Sequence, residues 1–600
     1  MVAELTEKDF DSEVLKSKLP VIIDFWASWC VAPNSAVLKT RYDSDSAASI
    51  RKSDKILAYD GHRVLEAGVL DSRTTISGGH CKKIVTNLGR ALEVTDDHLF
   101  YTSMGWKKAN SLKKADKVAV YPVFFDGATK NKNKAQTIME KEDIQKHAEL
   151  GIRVAEHIGR LEKLNLIPLK TDNPKIHTIA RIIGALFSDG SLYRSQPNNY
   201  SEASFALGRN EDVGELVSDL RSLGFESSVR ERKNTFRINK RKTVINSKRV
   251  KVSSTAFWLL MQALGVPNGR KTDAKYTLPR WILNSPKAIK REFLSGYLGG
   301  DGPALSIRIT SRGKRGAYNH LNINDIELYK KEESLRSGII FARQLASLLK
   351  EVGIEVSRIF VDKERNKRSY GGYSKSIHIA LSSSFETGLA MAAVGYAYCH
   401  EKQIQANYVG SFLKKKIEER LRWKNKYQKA AVLFSQGRAI NEVATDLGVN
   451  YNTAFGWLRQ HKKPTINYTF ERYDKWLRET TEGLKDGLVW ENIEEIKEIY
   501  LPKVQSLTID KYSNFIANGF LVHNCGPCRV FSPIIEEVSK GYDGKAKFFK
   551  LNTDENAKIA EKYNIMSIPS VLLFEEGEVK AMSIGAIPKE EFKRWVDSNL

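Results

Sequence analysis

Apolar positions along the chain fall into short blocks, and the spacing inside each block says what it forms. Near the start, "LPVIIDFW" (Leu19–Trp26) is a nearly unbroken apolar run of strand length, the pattern of a strand buried on both faces. "SVLLF" (Ser570–Phe574) reads the same way. "IIGALFSDG" (Ile182–Gly190) and "LSGYLGGDG" (Leu294–Gly302) predict apolar helices with a glycine at the third position and Asp-Gly at the end. Both are followed by basic, β-rich sequence such as "RSLGFESSVRERKNTFRINKRK" from Arg221. Lys429 to Pro464, "KAAVLFSQGRAINEVATDLGVNYNTAFGWLRQHKKP", carries three short helical patterns, with Gly448 in a turn and Ala444 where two helices must pack closely. "VQSLTIDKYSNFIANGFLVHN" (Val504–Asn524) predicts a set of short strands. The longest apolar runs are too short to cross a bilayer.

A length of 600 residues implies several domains. The opening "MVAELTEKDF" is acidic and has no apolar signal region, so a cytoplasmic, soluble protein with no membrane partner is expected. The net charge of +24 is uneven: residues 1–29 carry −3, residues 525–600 carry −1, and the middle carries +28. Such a surplus in one segment points to a nucleic-acid partner through phosphate neutralisation, a solvated lysine-rich surface being the plainer alternative. Five cysteines, thinly spread, make no disulfide framework.

Two of them stand in "VHNCGPCRVF" (Val522–Phe531). A Cys-Gly-Pro-Cys followed by a basic residue and an apolar helix resembles the active site of a thioredoxin-like oxidoreductase, a resemblance that implies a buried strand ending in Trp just before it; the matching strand, "LPVIIDFWASWC", lies almost five hundred residues upstream. Joining Trp29 to Cys525 gives 105 residues that resemble thioredoxin over their whole length, with Cys525, Gly526, Pro527, Cys528, Asp24, Lys550 and the cis-proline position Pro569 in place. The resemblance implies a thiol-disulfide oxidoreductase acting on protein disulfides and fed by a thioredoxin reductase. A helix N-terminus lowers the first thiol's pKa so that Cys525 can attack, and Cys528 resolves the mixed disulfide. Asp24 is either a proton acceptor of raised pKa or a strand-end acid in solvent; its four apolar neighbours favour the former.

The inserted segment begins with Cys30, ends with His523 and Asn524, and is followed by Cys525. Thiol, His-Asn and thiol at two junctions are the parts of protein splicing, and residues 30–524 resemble an intein. "CVAPNSAVLK", "GRALEVTDDHLFYT" and the Val504–Asn524 strands resemble the family's first, second and final blocks. Cys30 can attack the Trp29 carbonyl to give a thioester. His98 is expected to protonate the leaving amide nitrogen while Thr95 and backbone N–H groups hold the oxyanion. Cys525 then takes the acyl chain, Asn524 cyclises with help from His523, and a sulfur-to-nitrogen shift leaves the Trp29–Cys525 peptide bond. Splicing needs no cofactor. The sequence departs from the family at Pro33, Asn34 and Ser35, and at Ser506 and Ser513, which replace an Asp and a His of the final block; Asp510 either compensates or forms a surface turn.

Within the insert, the two Asp-Gly helices resemble the LAGLIDADG motif of homing endonucleases. That resemblance implies helices packed through their small residues, with Asp189 and Asp301 meeting below them to hold Mg²⁺ for phosphodiester cleavage of double-stranded DNA. Lys275, in "KYTLPRWIL", stands where the family often has an active-site lysine and equally suits a solvated strand end. Lys429–Pro464 resembles a helix-turn-helix whose second helix starts at Asn450 or Tyr451 and offers Asn452, Thr453 and Arg459 to a major groove; a plain three-helix packing module is the alternative. Cys81 and Cys399 are expected to be buried or bystander thiols, since neither sits at zinc-site spacing.

The expected architecture is multidomain: a thioredoxin-fold α/β/α host split by an all-β Hint (intein) domain, with an inserted α+β LAGLIDADG endonuclease and a small helix-turn-helix. The expected boundaries are 1–29 and 525–600 for the host, 30–160 and 485–524 for the splicing domain, 161–415 for the endonuclease and 416–470 for the helix-turn-helix. The expected chain is a monomeric thioredoxin precursor whose excised intein cuts the intein-less host gene, or, alternatively, a splicing intein whose endonuclease only binds DNA.

Overall fold

A computed structural model describes residues 2–26, 30–40, 44–76, 80–122, 135–146, 154–195, 200–238, 241–311, 317–362, 366–367, 373–464, 470–524, 526–553, 556–565, 569–585 and 587–600. The chain divides into two compact units, residues 1–121 with 480–600, and residues 122–479.

In the first unit, both chain ends build one five-stranded sheet in the order Ala3–Leu5, Lys547–Asn552, Val21–Trp26, Ser570–Glu575, Glu578–Ile584. Val21–Trp26 runs parallel to Lys547–Asn552 and antiparallel to Ser570–Glu575. Its nearly unbroken apolar run has a physical cause, because both faces are covered. Val21, Ile23 and Phe25 pack with Phe10, Val14 and Ile559. Ile22 packs on the other side with Phe531 and Ile535 of the Gly526–Ser539 helix and with Phe592 and Val596. Alternation along the strand therefore puts Asp24 on the face of Ile22, under the helix that carries the Cys-Gly-Pro-Cys motif.

The rest of this unit is all-β. A ten-stranded sheet includes Ala36–Leu38, Asn514–Ala517, Phe520–His523, Leu99–Thr102, Lys117–Val120 and Val489–Tyr500, and a three-stranded sheet pairs Lys503–Ile509 with Val64–Ile76 and Lys55–Tyr59. Lys503–Ile509, Asn514–Ala517 and Phe520–His523 are the strands expected across the Val504–Asn524 block. The all-β strands end at Val120, and Thr137–Met139 pairs with Leu169–Lys170 in the second unit, so residues 122–160 belong there. The apolar side of the Val154–Lys163 helix is satisfied by the Thr255–Ala263 helix of that unit.

The second unit repeats a pattern of helix, antiparallel strands, helix, strands and helix. The first copy runs from the helix Ile176–Phe187 through a four-stranded sheet to Thr255–Ala263; the second runs from Lys287–Asp301 to Phe385–Val394. The 176–187 and 287–301 helices cross at two glycines. A Cβ on Gly184 would lie 2.0 Å from the Phe293 carbonyl oxygen, and one on Gly296 would lie 2.0 Å from that of Arg181. Only glycine admits this approach. Beside the crossing, buried Arg181 pairs with buried Glu292 at 3.2 Å and with Asp219 at 3.6 Å.

The helices after the repeats differ from the expected three short ones. The first pattern is the end of a 36-residue helix, His400–Ser435, followed by Ile440–Asp446 and Tyr451–Leu458. The long helix persists because Trp423, Tyr427 and Ala430 cover Trp457 and Val443. Asn450 caps the last helix, its side chain accepting the Thr453 N–H at 2.7 Å.

Candidate active sites

Cys30 is fully buried and held by its main chain: its N–H donates to the Thr95 hydroxyl at 3.2 Å, and its carbonyl accepts the Thr95 N–H at 3.1 Å. Val31 next to it exchanges both backbone bonds with Gln505, at 3.0 and 2.8 Å. Thr95 ends the Ala91–Thr95 strand, and its carbonyl accepts the His98 N–H at 3.0 Å, closing the turn that carries His98. Thr95 thus grips the amide at its nitrogen; the Trp29 carbonyl, toward which an oxyanion role would be directed, lies outside the described residues.

From the other junction, Val522 pairs with Phe100, two residues beyond His98, which brings His523 and Asn524 to the same place. Asn524 is fully buried, its N–H bonded to the Ser513 carbonyl at 2.9 Å and its Nδ2 donating to Leu507 at 3.3 Å. The two bonds come from Ser513 and from the neighbour of Ser506, so at the positions where the sequence departs from its family the backbone holds the asparagine. Asp510 lies in the turn between the Lys503–Ile509 and Asn514–Ala517 strands.

His98 is fully buried, and neither ring nitrogen has a hydrogen-bond partner among the described residues. Burial, reinforced by His523, lowers its pKa to about 3, and burial lowers that of His523 to about 4. Both rings are neutral at pH 7. Cys525 lies outside the described residues, as do the side chains around Cys528 in the helix that follows.

Asp24 is buried with no partner for either carboxylate oxygen among the described residues, and lies in register with Lys550. Burial raises its pKa to about 7, the Lys550 charge opposing. Pro569 is buried beside the Ser570–Glu575 strand, and its peptide bond to Ile568 lies outside the described residues.

In the second unit, Asp189 and Asp301 follow the glycine crossing. A Cβ on Gly300 would lie 3.0 Å from Asp189 Oδ2, so the first carboxylate sits against the residue preceding the second. Asp301 is raised to about 6, first by burial and also by Asp189, against the pull of Lys271 and Lys402. Lys275 is exposed. The lysine that faces both aspartates is Lys271, lowered to about 8 by burial against their attraction, its Nζ donating to the carbonyls of Leu186 (3.2 Å) and Ser188. Lys402 does the same for the second helix, bonding Gly299, Gly300 and Gly302 at 3.0, 2.6 and 2.8 Å. Each Asp-Gly helix therefore ends on an ammonium that neutralises its C-terminal carbonyls. Asn452 is exposed, Thr453 half-buried, and Arg459 stacks on Phe434 at 4.9 Å.

The family described as the intein splicing domain matches residues 46–524. The chain belongs to the intein splicing family. The thioredoxin family matches residues 1–46 and 503–598, so a thioredoxin domain at both ends is interrupted by the intein. Strand pairing carries the intein further toward the N-terminus, since Val31 bridges Val94 and Gln505. Among curated proteins, the tRNA-splicing ligase RtcB of Methanopyrus kandleri is 28% identical over 499 residues, covering 81% of this chain and 46% of its own. The DNA-directed RNA polymerase subunit Rpo1N of Methanocaldococcus jannaschii is 30% identical, covering 74% of this chain and 30% of its own. The M-type chloroplastic thioredoxin of Pisum sativum is 53% identical over 73 residues, 12% of this chain and 42% of its own. The chain spans less than half the length of each of these relatives. No helix among the described residues is long and apolar enough to cross a membrane.

The thioredoxin part of the precursor supplies a pH test. An Asp24 raised from 3.8 to about 7 is protonated in the folded state where the unfolded chain has released its proton. Its contribution is fully present below the unfolded value and is lost as pH rises through 7. In a precursor made splicing-inactive by Cys30→Ala and Asn524→Ala, Asp24→Asn should stabilise the host at pH 8 by about 4 kcal/mol relative to pH 3. Urea unfolding of parent and variant across this range measures the difference; equal pH dependence in the two would show that Asp24 titrates normally.

Proposed function

We propose that the precursor excises residues 30–524 autocatalytically, joins Trp29 to Cys525 to give a dithiol-disulfide oxidoreductase, and frees an intein that cuts the uninterrupted host gene. The observation that carries the splicing steps is the buried His98, whose ring nitrogens have no partner among the described residues, between the Cys30–Thr95 contact and His523–Asn524. Cys30 Sγ attacks the Trp29 carbonyl carbon, the neutral His98 ring takes the thiol proton, and it passes a proton to the Cys30 nitrogen as the C–N bond breaks. Cys525 Sγ next displaces Cys30 from the acyl carbon. Asn524 Nδ2 then closes on its own carbonyl carbon, expelling the Cys525 nitrogen, with His523 moving the proton between these nitrogens. The freed amine takes the acyl group from Cys525 Sγ.

The glycine crossing, the adjacent carboxylates and the two capping lysines support the endonuclease reading, and so does the +28 charge of the insert. The residues fit a hard divalent cation: Asp301 is unsettled by burial and by Asp189, and the helix-end carbonyls are occupied by Lys271 and Lys402, leaving the carboxylates to ligate. Mg²⁺ held by Asp189 and Asp301 would supply the Lewis acid for phosphodiester hydrolysis. Lys271 and Lys402 place positive charge beside the scissile phosphate, and the basic strands, with Asn452, Thr453 and Arg459, contact the duplex. A mobile insert accounts for matches of 454–499 residues in hosts as different as an RNA ligase and an RNA polymerase subunit. The spliced product works in the cytoplasm on protein disulfides through Cys525 and Cys528, with Pro569 as the thioredoxin-type proline and a thioredoxin reductase as electron donor.

Mass spectrometry of the expressed protein tests the first part. A 105-residue product containing "ASWCGPC" and a separate 495-residue intein are expected. A folded chain that stays intact would sink it.

A further inference from the structure

The penultimate His523 has a neighbour that the splicing steps do not use. Trp106, on the Gly105–Lys108 strand, meets the His523 ring at 4.9 Å between centroids and perpendicular to it (90°). Trp106 is 37% exposed, whereas His523 is mostly buried, so the indole lies between the imidazole and solvent. The hairpin register sets Trp106 opposite Tyr101, with the rings 5.0 Å apart, and Tyr101 stacks on Trp490 at 6.0 Å. Trp490 is tied down by its indole N–H, which donates to the Glu482 carbonyl at 2.8 Å. The imidazole therefore stands at the end of an aromatic row whose far end is hydrogen-bonded to the backbone.

We propose that Trp106 is a positioning residue for Asn524 cyclisation, fixing the His523 ring and keeping water from it. This rests on the role given above to His523. In the cyclisation the Asn524 Nδ2–C bond forms, the bond from that carbon to the Cys525 nitrogen breaks, and one proton passes from Nδ2 to the departing nitrogen, with no net gain or loss. An imidazole can relay that proton only if one ring nitrogen faces each atom in turn, so a freely rotating ring loses rate. The His523 ring is also hydrogen-bonded to the Asn524 main chain, and the perpendicular aromatic contact restrains its rotation without occupying a ring nitrogen. The first acyl shift at Cys30 does not pass through His523 and needs no such restraint.

The test separates the two junctions in the full-length chain. In a Cys30→Ala background, release of residues 525–600 reports cyclisation; in an Asn524→Ala background, release of residues 1–29 by added thiol reports the thioester at Cys30. Trp106→Ala should slow cyclisation roughly tenfold to a hundredfold and leave thiolysis unchanged, and Trp106→Phe, which keeps an aromatic ring, should restore most of the rate. Equal loss at both junctions would mean that Trp106 only holds the hairpin together, and overturns the proposal. So does parental cyclisation in Trp106→Ala when His523→Ala is slow. If His523→Ala itself cyclises at the parental rate, the role of His523 fails and this inference fails with it.

Discussion

An Asn524→Ala precursor is expected to accumulate without releasing joined host, while added thiol still cleaves it after Trp29. Asn524 is buried, with its backbone N–H bonded to Ser513 and its Nδ2 to Leu507, so both its main chain and its amide are held in place. Alanine removes the only nitrogen that can close the ring. Cys30, held by Thr95, is untouched. His98→Ala should behave in the opposite sense, slowing thiol-induced cleavage after Trp29 by roughly 10²–10⁴-fold, the usual size of a general acid's contribution. Gel and mass analysis of the two variants, with and without thiol, reads both outcomes. Joined host from Asn524→Ala would refute the assignment of the C-terminal step.

The second large effect is on DNA. Purified intein with Mg²⁺ should cut the uninterrupted host sequence encoding "ASW-CGPC" and spare the gene that carries the insertion. Asp189→Asn or Asp301→Asn should abolish cutting while splicing proceeds, because the aspartates lie in the second unit and the splicing residues in the first. Lysine variants sharpen the test. Lys271→Ala should be severely impaired, since that ammonium faces both carboxylates and caps the 176–187 helix, whereas exposed Lys275→Ala should cut normally. Parental intein that binds this DNA in a gel-shift assay but leaves it intact would favour the binding-only alternative. Equal cutting of both genes would rule out homing.

What could be read from the sequence was what chemistry ties to chain position. Cys30, His523, Asn524 and Cys525 were singled out because a splice junction admits few residue types, and the intein match ends at Asn524. The glycines of "IIGALFSDG" and "LSGYLGGDG" were legible because close helix crossing demands them. The lysines were not. Lys271 reaches the end of the 176–187 helix by the path of an irregular loop, and Lys402 sits about a hundred residues beyond Asp301 at the start of another helix, so no spacing announces either. Trp106 is visible only through a hairpin register that pairs it with Tyr101. Cys81, expected to be a buried or bystander thiol, is buried, lying opposite Thr95 in a cluster with Cys30 and Val504, an adjacency set by strand pairing.

The five-stranded host sheet closes across an insertion of 495 residues. A disordered loop of that length would raise the entropy of closure by about 4 kcal/mol over a loop of about five residues. The folded intein avoids most of this. Its first residue is bonded to Thr95, and its last strand runs beside Phe100, so the two ends that the host must bring together are already neighbours. To the polymer statistics of the host, the insert is a short turn. Melting the intein alone would turn it back into a long loop and loosen the host at a distance, with no host contact broken.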